Sequence, residues 1–211
     1  MAKSSLLDSN SRFAMNPTRL KNVMRSRFDL SSTVKTSFNV GELIPFDVIE
    51  VLPGDTFDVE TNILCRLQTL LTPIMDDLYL DVYYFFVPNR LVWDHWQEFC
   101  GENSASAWTP STTYSVPVVR TGSTGVDHGS VLDYMGVPPK VGNLVVSALP
   151  TRAYGLIYNE WFRDQNLIDP ALVDTNDVAV SYSKTNPARG GSPFLVSKYH
   201  DYFTSASFPS S

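Results

Sequence analysis

Cysteine is scarce in this chain of 211 residues, which contains only Cys65 and Cys100. The two residues stand in unrelated contexts without the spacing of metal ligands, and a single pair cannot staple a chain of this length. We therefore interpret both as reduced thiols packed as small hydrophobic side chains. The scarcity argues against a disulfide-rich scaffold and against a cysteine-based zinc site.

The sequence also lacks a long uncharged apolar run, and its start has no signal-peptide core. These absences predict a soluble protein that neither spans a membrane nor is exported through a cleaved leader. Hydrophobic residues nevertheless make up 43% and charged residues only 18%, so a sizeable core is available. Proline (14) outnumbers glycine (11), which favours short strands joined by long, rigid connections.

Patterns typical of catalysis or metal binding are missing as well. The three histidines, His95, His128 and His200, share no helix face and have no partners at metal-ligand spacing. Ser181 and Lys184 formally match an S-x-x-K nucleophile motif, but they follow a strand-like stretch and the companion motifs are absent. We predict no catalytic residue, no cofactor and no metal site, and hence no enzyme.

Charge is distributed unevenly along the chain. The net charge is -6, yet residues 1–28 hold six of the 16 basic residues and only one of the 22 acidic ones. A head of about +5 therefore precedes a body of about -11. Such a split predicts a basic N-terminal arm, residues 1–35, that contacts an anionic partner. A solvated, frayed terminus is the alternative. The candidate contact residues are Arg12, Arg19, Lys21, Arg25 and Arg27.

Two stretches after the arm have the patterns of strands. In residues 57–67, Phe57, Val59, Ile63 and Leu67 share one face, and polar side chains occupy the other. A shift of one residue in the strand register would turn the carboxylates of the polar face toward the core. We therefore expect the apolar face to be buried between two sheets. Residues 78–87 are apolar on both faces, which predicts covering on both sides.

The period then changes to that of a helix. One amphipathic helix is predicted near residues 91–100 and a second near 151–164, where Tyr154, Tyr158 and Trp161 share a side. Their aromatic side chains could stack on bases or sugars, but Trp and Tyr more often form core or the buried centre of a subunit contact. We favour core and contact, with Trp96 and Trp161 as the candidate subunit-contact residues.

Three ordered blocks carry a family resemblance. Residues 85–99, FFVPNRLVWDHWQEF, combine an aromatic strand, a Val-Pro-x-Arg turn and a Trp-bearing helix. This combination resembles a hallmark of the Microviridae major capsid protein. Residues 152–164 and 200–206 are similar to two further blocks of that family, and so is the early arm. The residues in these blocks most resemble those of the gokushovirus branch of the family.

The resemblance implies a mainly β fold, a viral jelly-roll β-sandwich with helix-bearing loop insertions. Family chains are longer, so we interpret residues 36–211 as the N-terminal part of the jelly-roll domain, with only part of the sandwich present in 1–211. The alternative is a self-contained β-sandwich module that binds carbohydrate or nucleic acid.

The resemblance also implies a function and partners. Family members self-assemble into a small T=1 icosahedral shell around single-stranded DNA. The implied partners are further copies of the chain, with pentameric contacts, and packaged single-stranded DNA or a small internal basic protein. No membrane is involved, and the implied location is the virion, assembled in the cytoplasm of a host bacterium.

Overall fold

The computed structural model describes residues 25–105, 107–109, 112–184 and 187–199. The chain divides into two compact units, Met1–Thr33 and Val34–Ser211. In the first unit, residues 25–33 are exposed and without regular secondary structure, and the Ser31 backbone N–H donates to Asp29 Oδ1 at 2.9 Å. The candidate arm residues Arg12, Arg19 and Lys21, and the third family block at 200–206, lie outside the described residues.

The second unit is mostly non-helical and contains short elements. Its helices are α1 (Trp96–Phe99), α2 (Val131–Tyr134) and α3 (Leu149–Ile157), and its strands are β1 (Val118–Arg120) and β2 (Val145–Ser147). Two 3-10 turns, Asn89–Leu91 and Pro187–Arg189, and a π-helical turn, Tyr158–Phe162, complete the described elements.

Strands β1 and β2 form an antiparallel pair in which Val119 lies opposite Val146. Val119 also makes a parallel bridge to Val180. The core on this sheet contains Val119, Val126, Leu132, Ala148 and Tyr182. Helix α2 begins there because the Ser130 side chain caps it, accepting a hydrogen bond from the Asp133 N–H.

A second core lies along α3. The Tyr154 hydroxyl donates to the Leu43 carbonyl at 2.9 Å and accepts from the Phe194 N–H at 2.8 Å. Leu43 and Phe194 are themselves joined by a 2.8 Å backbone hydrogen bond, and the Tyr158 ring stacks on Phe194 at 4.2 Å. Burial raises the pKa of Tyr154, so this hydroxyl keeps its proton.

Helix α3 lies where the sequence predicts a helix near 151–164, but its last turn is wider than expected. Pro150 stands in the first turn, where its missing N–H is tolerated. The π-helical turn then places Phe162 on the buried side, 7% exposed, and leaves Trp161 72% exposed. The expectation that Trp161 shares the buried side of Tyr158 is therefore wrong, because it assumes a continuous α-helical period.

The helix predicted near 91–100 is not continuous. Between the 3-10 turn Asn89–Leu91 and the single turn of α1, the Val92 and Trp93 N–H groups still donate to the Asn89 carbonyl, but the hydrogen-bond series breaks at Asp94. The Asp94 N–H donates to the Thr175 carbonyl at 3.1 Å rather than to the preceding turn. Tertiary contacts here override the local helical preference.

The strands predicted at 57–67 and 78–87 are not formed in the described chain. Both segments lack ladder partners, and Phe57, Val59 and Ile63 are exposed rather than buried. A strand exists only through hydrogen bonds to a neighbouring backbone, and no described residue supplies that neighbour here. A two-stranded sheet is the only sheet among the described residues, so the jelly roll stays a prediction.

Candidate assembly interface

Trp93 fixes the segment that follows Pro88, which we call the Trp96 turn (residues 92–100). Its ring is completely buried, and its Nε1–H donates to Asp177 Oδ1 at 2.6 Å. The same ring packs edge-on against Trp96, with centroids 6.1 Å apart, and against Phe99 at 5.3 Å. Trp93 is therefore the core member of the aromatic set, as the sequence favoured, and it supports the half-buried ring of Trp96 and the exposed ring of Phe99.

Arg152 of α3 lies beneath this turn, although its sequence context suggests a polar outer face. Its side chain is 1% exposed. One terminal nitrogen donates to the Val92 carbonyl at 3.1 Å and the other to the Asn176 carbonyl at 2.7 Å. Burial lowers the pKa of the Arg152 guanidinium, and the nearby Asp177 and Asp94 carboxylates act in the opposite direction.

Asp177 is the acceptor that closes this network. Besides binding the Trp93 indole, its second carboxylate oxygen lies 2.9 Å from His95 Nδ1. The Trp93 hydrogen bond lowers the pKa of Asp177 below 3.8, and His95 acts in the same direction while burial opposes it. The His95 ring stacks on Tyr114 at 4.2 Å with the planes 9° apart. These contacts join three stretches that are distant in sequence, around Trp93, Tyr114 and Asp177.

Trp96 itself is half-buried, and its neighbours Leu91 and Phe99 are exposed. The turn thus presents aromatic and aliphatic surface outward while its base is held by buried polar bonds. Helix α1 ends at Gly101, whose positive φ of 107° suits glycine, and the Gly101 N–H donates to the Glu98 carbonyl. A rigid base beneath an exposed aromatic patch is the arrangement expected of a contact surface.

Trp161 lies in a second aromatic patch. The odd-numbered face of residues 78–87 meets the π-helical turn, with Tyr83 5.3 Å from Phe162 and Phe85 5.9 Å from Trp161, between ring centroids. The end of α3 thus contacts this face, but Tyr83 and Phe85 remain 55% and 38% exposed, and Tyr84 and Phe86 on the other face are exposed as well. The expectation that residues 78–87 are covered on both sides is therefore wrong for the described residues.

Asn159 holds the π-helical turn in place. Its side-chain amide donates to the Ala171 carbonyl at 2.9 Å, and its amide oxygen accepts from the Ala171 N–H at 2.8 Å. These two bonds resemble those of a β-ladder, and they satisfy the backbone N–H and carbonyl of Ala171, which is buried. The orientation of Trp161 therefore depends on the bonds between Asn159 and Ala171, which lie twelve positions apart. No recognised motif in the local sequence indicates this contact.

Among the described residues, many of the exposed large hydrophobic side chains lie in residues 46–87, which we call the extended segment. Leu64 is 97% exposed and Met75 93%, and at least ten other large hydrophobic side chains of this stretch are also exposed. The segment is acidic too, with eight Asp or Glu residues against Arg66 alone. Exposed apolar surface on this scale marks an interaction site.

The remaining sequence candidates are not gathered into a site. Arg25 and Arg27 are exposed in the first unit. Cys65 and Cys100 are free thiols, as expected, but both are exposed, so the expectation that they pack as small hydrophobic side chains is wrong. Within the described ranges, no group of three or more His, Cys, Asp or Glu side chains could hold a metal ion. No helix in those ranges combines the length and apolar character needed to cross a membrane.

Comparison with known proteins identifies the family. Residues 18–210 match the family described as capsid protein (F protein). The chain belongs to this Microviridae capsid protein family. It is 43% identical over 224 residues to the capsid protein VP1 of Chlamydia phage 1, in a match that covers 98% of this chain.

Two further relatives of the capsid family have the same name. Identity is 42% with capsid protein VP1 of Bdellovibrio phage phiMH2K, over 86% of this chain, and 40% with capsid protein VP1 of Spiroplasma virus 4, over 87%. The chain spans about a third of the length of these relatives: 37% of the first, 33% of the second and 34% of the third. The family resemblance in the sequence is thus confirmed.

Proposed function

We propose that this capsid-family chain is part of a structural protein that self-assembles into a small T=1 icosahedral shell enclosing single-stranded DNA, and that it performs no catalysis. The observation that carries the proposal is the match of residues 18–210 to the capsid family. The extended segment is consistent with this role, since its exposed apolar side chains can be covered by further polypeptide, from this protein or from neighbouring copies.

The proposed fold in the assembled shell is a jelly-roll β-sandwich with helix-bearing insertions. Residues 57–67 and 78–87 supply two of its strands and acquire ladder partners from polypeptide outside the described residues. Alternating apolar side chains in the first segment and apolar groups on both faces of the second support this assignment. The two helical regions lie in connections outside the sandwich.

Trp96 and Trp161 are the proposed anchors of contacts between copies of the chain, including the pentameric contacts. Both project from backbone that is fixed from below, Trp96 by Trp93 and Trp161 by Asn159. Aromatic side chains held rigidly at a surface lose little entropy on binding, which is why they dominate interface energies.

The proposed role of the arm is electrostatic. Arg12, Arg19, Lys21, Arg25 and Arg27 face the interior of the shell and contact packaged single-stranded DNA or a small internal basic protein. The acidic body repels phosphate, so a cationic segment is needed to hold the genome near the wall. The proposed location is the virion, after assembly in the cytoplasm of the bacterial host.

Size-exclusion chromatography of the full-length protein tests the assembly proposal. A shell protein elutes as large assemblies with associated nucleic acid. A single monomeric peak with a cooperative melt would instead favour the self-contained β-sandwich binding module.

A further inference from the structure

The Trp96 turn is attached to the rest of its unit by the buried side chains of Val92 and Trp93 and by a set of polar bonds. Asp94 and Thr175 exchange two hydrogen bonds, one between backbones at 3.1 Å and one from the Thr175 hydroxyl to Asp94 Oδ2 at 2.8 Å. Trp93 and Asp177 add a third, side chain to side chain. The turn and residues 174–177 therefore lie side by side without forming a ladder.

Arg152 bridges these two stretches at matching points. Its two terminal nitrogens reach Val92 and Asn176, the residues immediately before Trp93 and Asp177. The three side chains thus close a ring in which Arg152 sets the separation of the two backbones and the Trp93–Asp177 bond sets their register. A planar guanidinium has the fixed fork that such bridging requires, whereas a lysine ammonium is a single point of contact.

The burial of Arg152 is unusual for a group that serves only as structure. Its Nε has no hydrogen-bond partner among the described residues, and its bonded acceptors are carbonyls rather than carboxylates. Burying a cation in this way is costly, so an apolar side chain would pack under the turn at lower cost. The arrangement gains a defined geometry between two backbones.

We infer that Arg152 is the positioning residue of the assembly surface, holding Trp93 so that its ring presents Trp96 to a neighbouring copy of the chain. The inference rests on the proposed role of Trp96 as a contact residue. Arg152 itself does not touch the neighbour. It acts through Val92, Trp93 and Asp177, all of which are on the path between α3 and the exposed ring.

The test compares full-length Arg152→Lys with Arg163→Lys, whose guanidinium also donates to a backbone carbonyl, that of Ile168, but from a side chain that is only partly buried. Velocity sedimentation measures the assembled fraction, and hydrogen exchange measures the protection of individual segments. We expect Arg152→Lys to reduce the assembled fraction at least about tenfold, with faster exchange confined to residues 92–100 and 174–177. Arg163→Lys should assemble normally.

If Arg152→Lys does not fold, two variants of Asp177 test the same inference. Asp177→Asn keeps an oxygen acceptor for the Trp93 indole, whereas Asp177→Ala removes it. We expect the first to assemble and the second to lose assembly.

Three results would overturn the inference: normal assembly of Arg152→Lys, equal assembly of the two Asp177 variants, or exchange that rises equally in β1 and β2. The Trp96→Ala variant shows whether a negative result concerns the positioning role of Arg152 or the proposed contact of Trp96 itself. If Trp96→Ala assembles normally, the contact itself is wrong. If Trp96→Ala fails to assemble while Arg152→Lys succeeds, only the positioning role is wrong.

Discussion

The Thr61 hydroxyl contacts the Tyr84 hydroxyl, although 23 residues separate them and no strand ladder joins their segments. Side chains that meet at their tips without paired backbones are typical of strands that face each other across a sandwich. In that arrangement the apolar face of residues 57–67 and the even-numbered face of residues 78–87 both point toward the interior. The contact therefore supports placing the two segments in opposite sheets rather than in one hairpin.

The first prediction tests this placement with the native thiol of Cys65. In full-length Leu80→Cys, with Cys100→Ala to remove the other thiol, oxidation should give no disulfide between positions 65 and 80. Facing sheets are about 10 Å apart, whereas a disulfide needs Cα atoms within about 7 Å. A thiol-reactive linker with a spacer of about 10 Å should join them. Rapid disulfide formation on oxidation, read on a non-reducing gel, would show instead that the segments pair as neighbours.

The second prediction separates the two proposed anchors by their burial. Trp161→Ala should leave the thermal melt of the unassembled subunit within about 0.5 kcal/mol of wild type, because the ring is 72% exposed, yet should abolish assembly. Trp96→Ala should lower both the stability of the unassembled subunit and its assembly, since the half-buried Trp96 ring packs on Trp93 and Phe99. Trp108→Ala is the matched control, a more exposed tryptophan outside both helical regions. Assembly that is lost equally in all three variants would contradict the assignment.

The third prediction concerns acid stability. The pKa of Asp177 is lowered in the folded chain, so its ionised form contributes stability above pH 3.8, its ordinary value, and loses it as the pH falls through the folded value. Wild type should therefore unfold at higher denaturant concentration than Asp177→Asn at pH 7, and the difference should disappear below pH 3.8. A difference that is constant from pH 7 to pH 3 would show that Asp177 acts through shape alone.

The fourth prediction concerns the basic arm. Changing Arg12, Arg19, Lys21, Arg25 and Arg27 to glutamine should leave the shell intact and reduce its DNA content, because phosphate contacts depend on charge and not on sequence. The matched control replaces the four arginines with lysine and keeps Lys21. Normal DNA content in intact glutamine-variant shells would leave the arm only a strap that holds a neighbouring subunit through Phe13, Leu20, Met24 and Phe28.

The elements that the sequence predicts well are those whose information is local. Helix α3 follows from the spacing of its aromatic side chains and from Pro150 in its first turn. The side on which Trp161 lies does not follow, because the π-helical turn depends on Asn159 gripping Ala171. Residues 57–67 have the clearest strand pattern in the chain, yet a ladder needs a backbone that no described residue provides.

The residues of the candidate site also fall into two groups, those that the local sequence indicates and those whose partners are distant in sequence. Trp96 and Trp161 are candidates from residue type alone, since Trp is enriched at interfaces, and their contacts stay a prediction. Arg152 and Asp177 were not, because their partners lie 60 and 84 positions away, at Val92 and Trp93. A charged residue beside an aromatic stripe is usually interpreted as the wet face of a helix. Only the three-dimensional arrangement reveals that this one is buried.

Cryo-electron microscopy of the full-length protein tests whether the chain is part of a self-assembling shell. We expect closed T=1 particles containing DNA, with Trp96 and Trp161 buried against neighbouring copies and residues 57–67 in a β-sheet. A monodisperse monomer, or particles in which both tryptophans face solvent away from any neighbour, would contradict it.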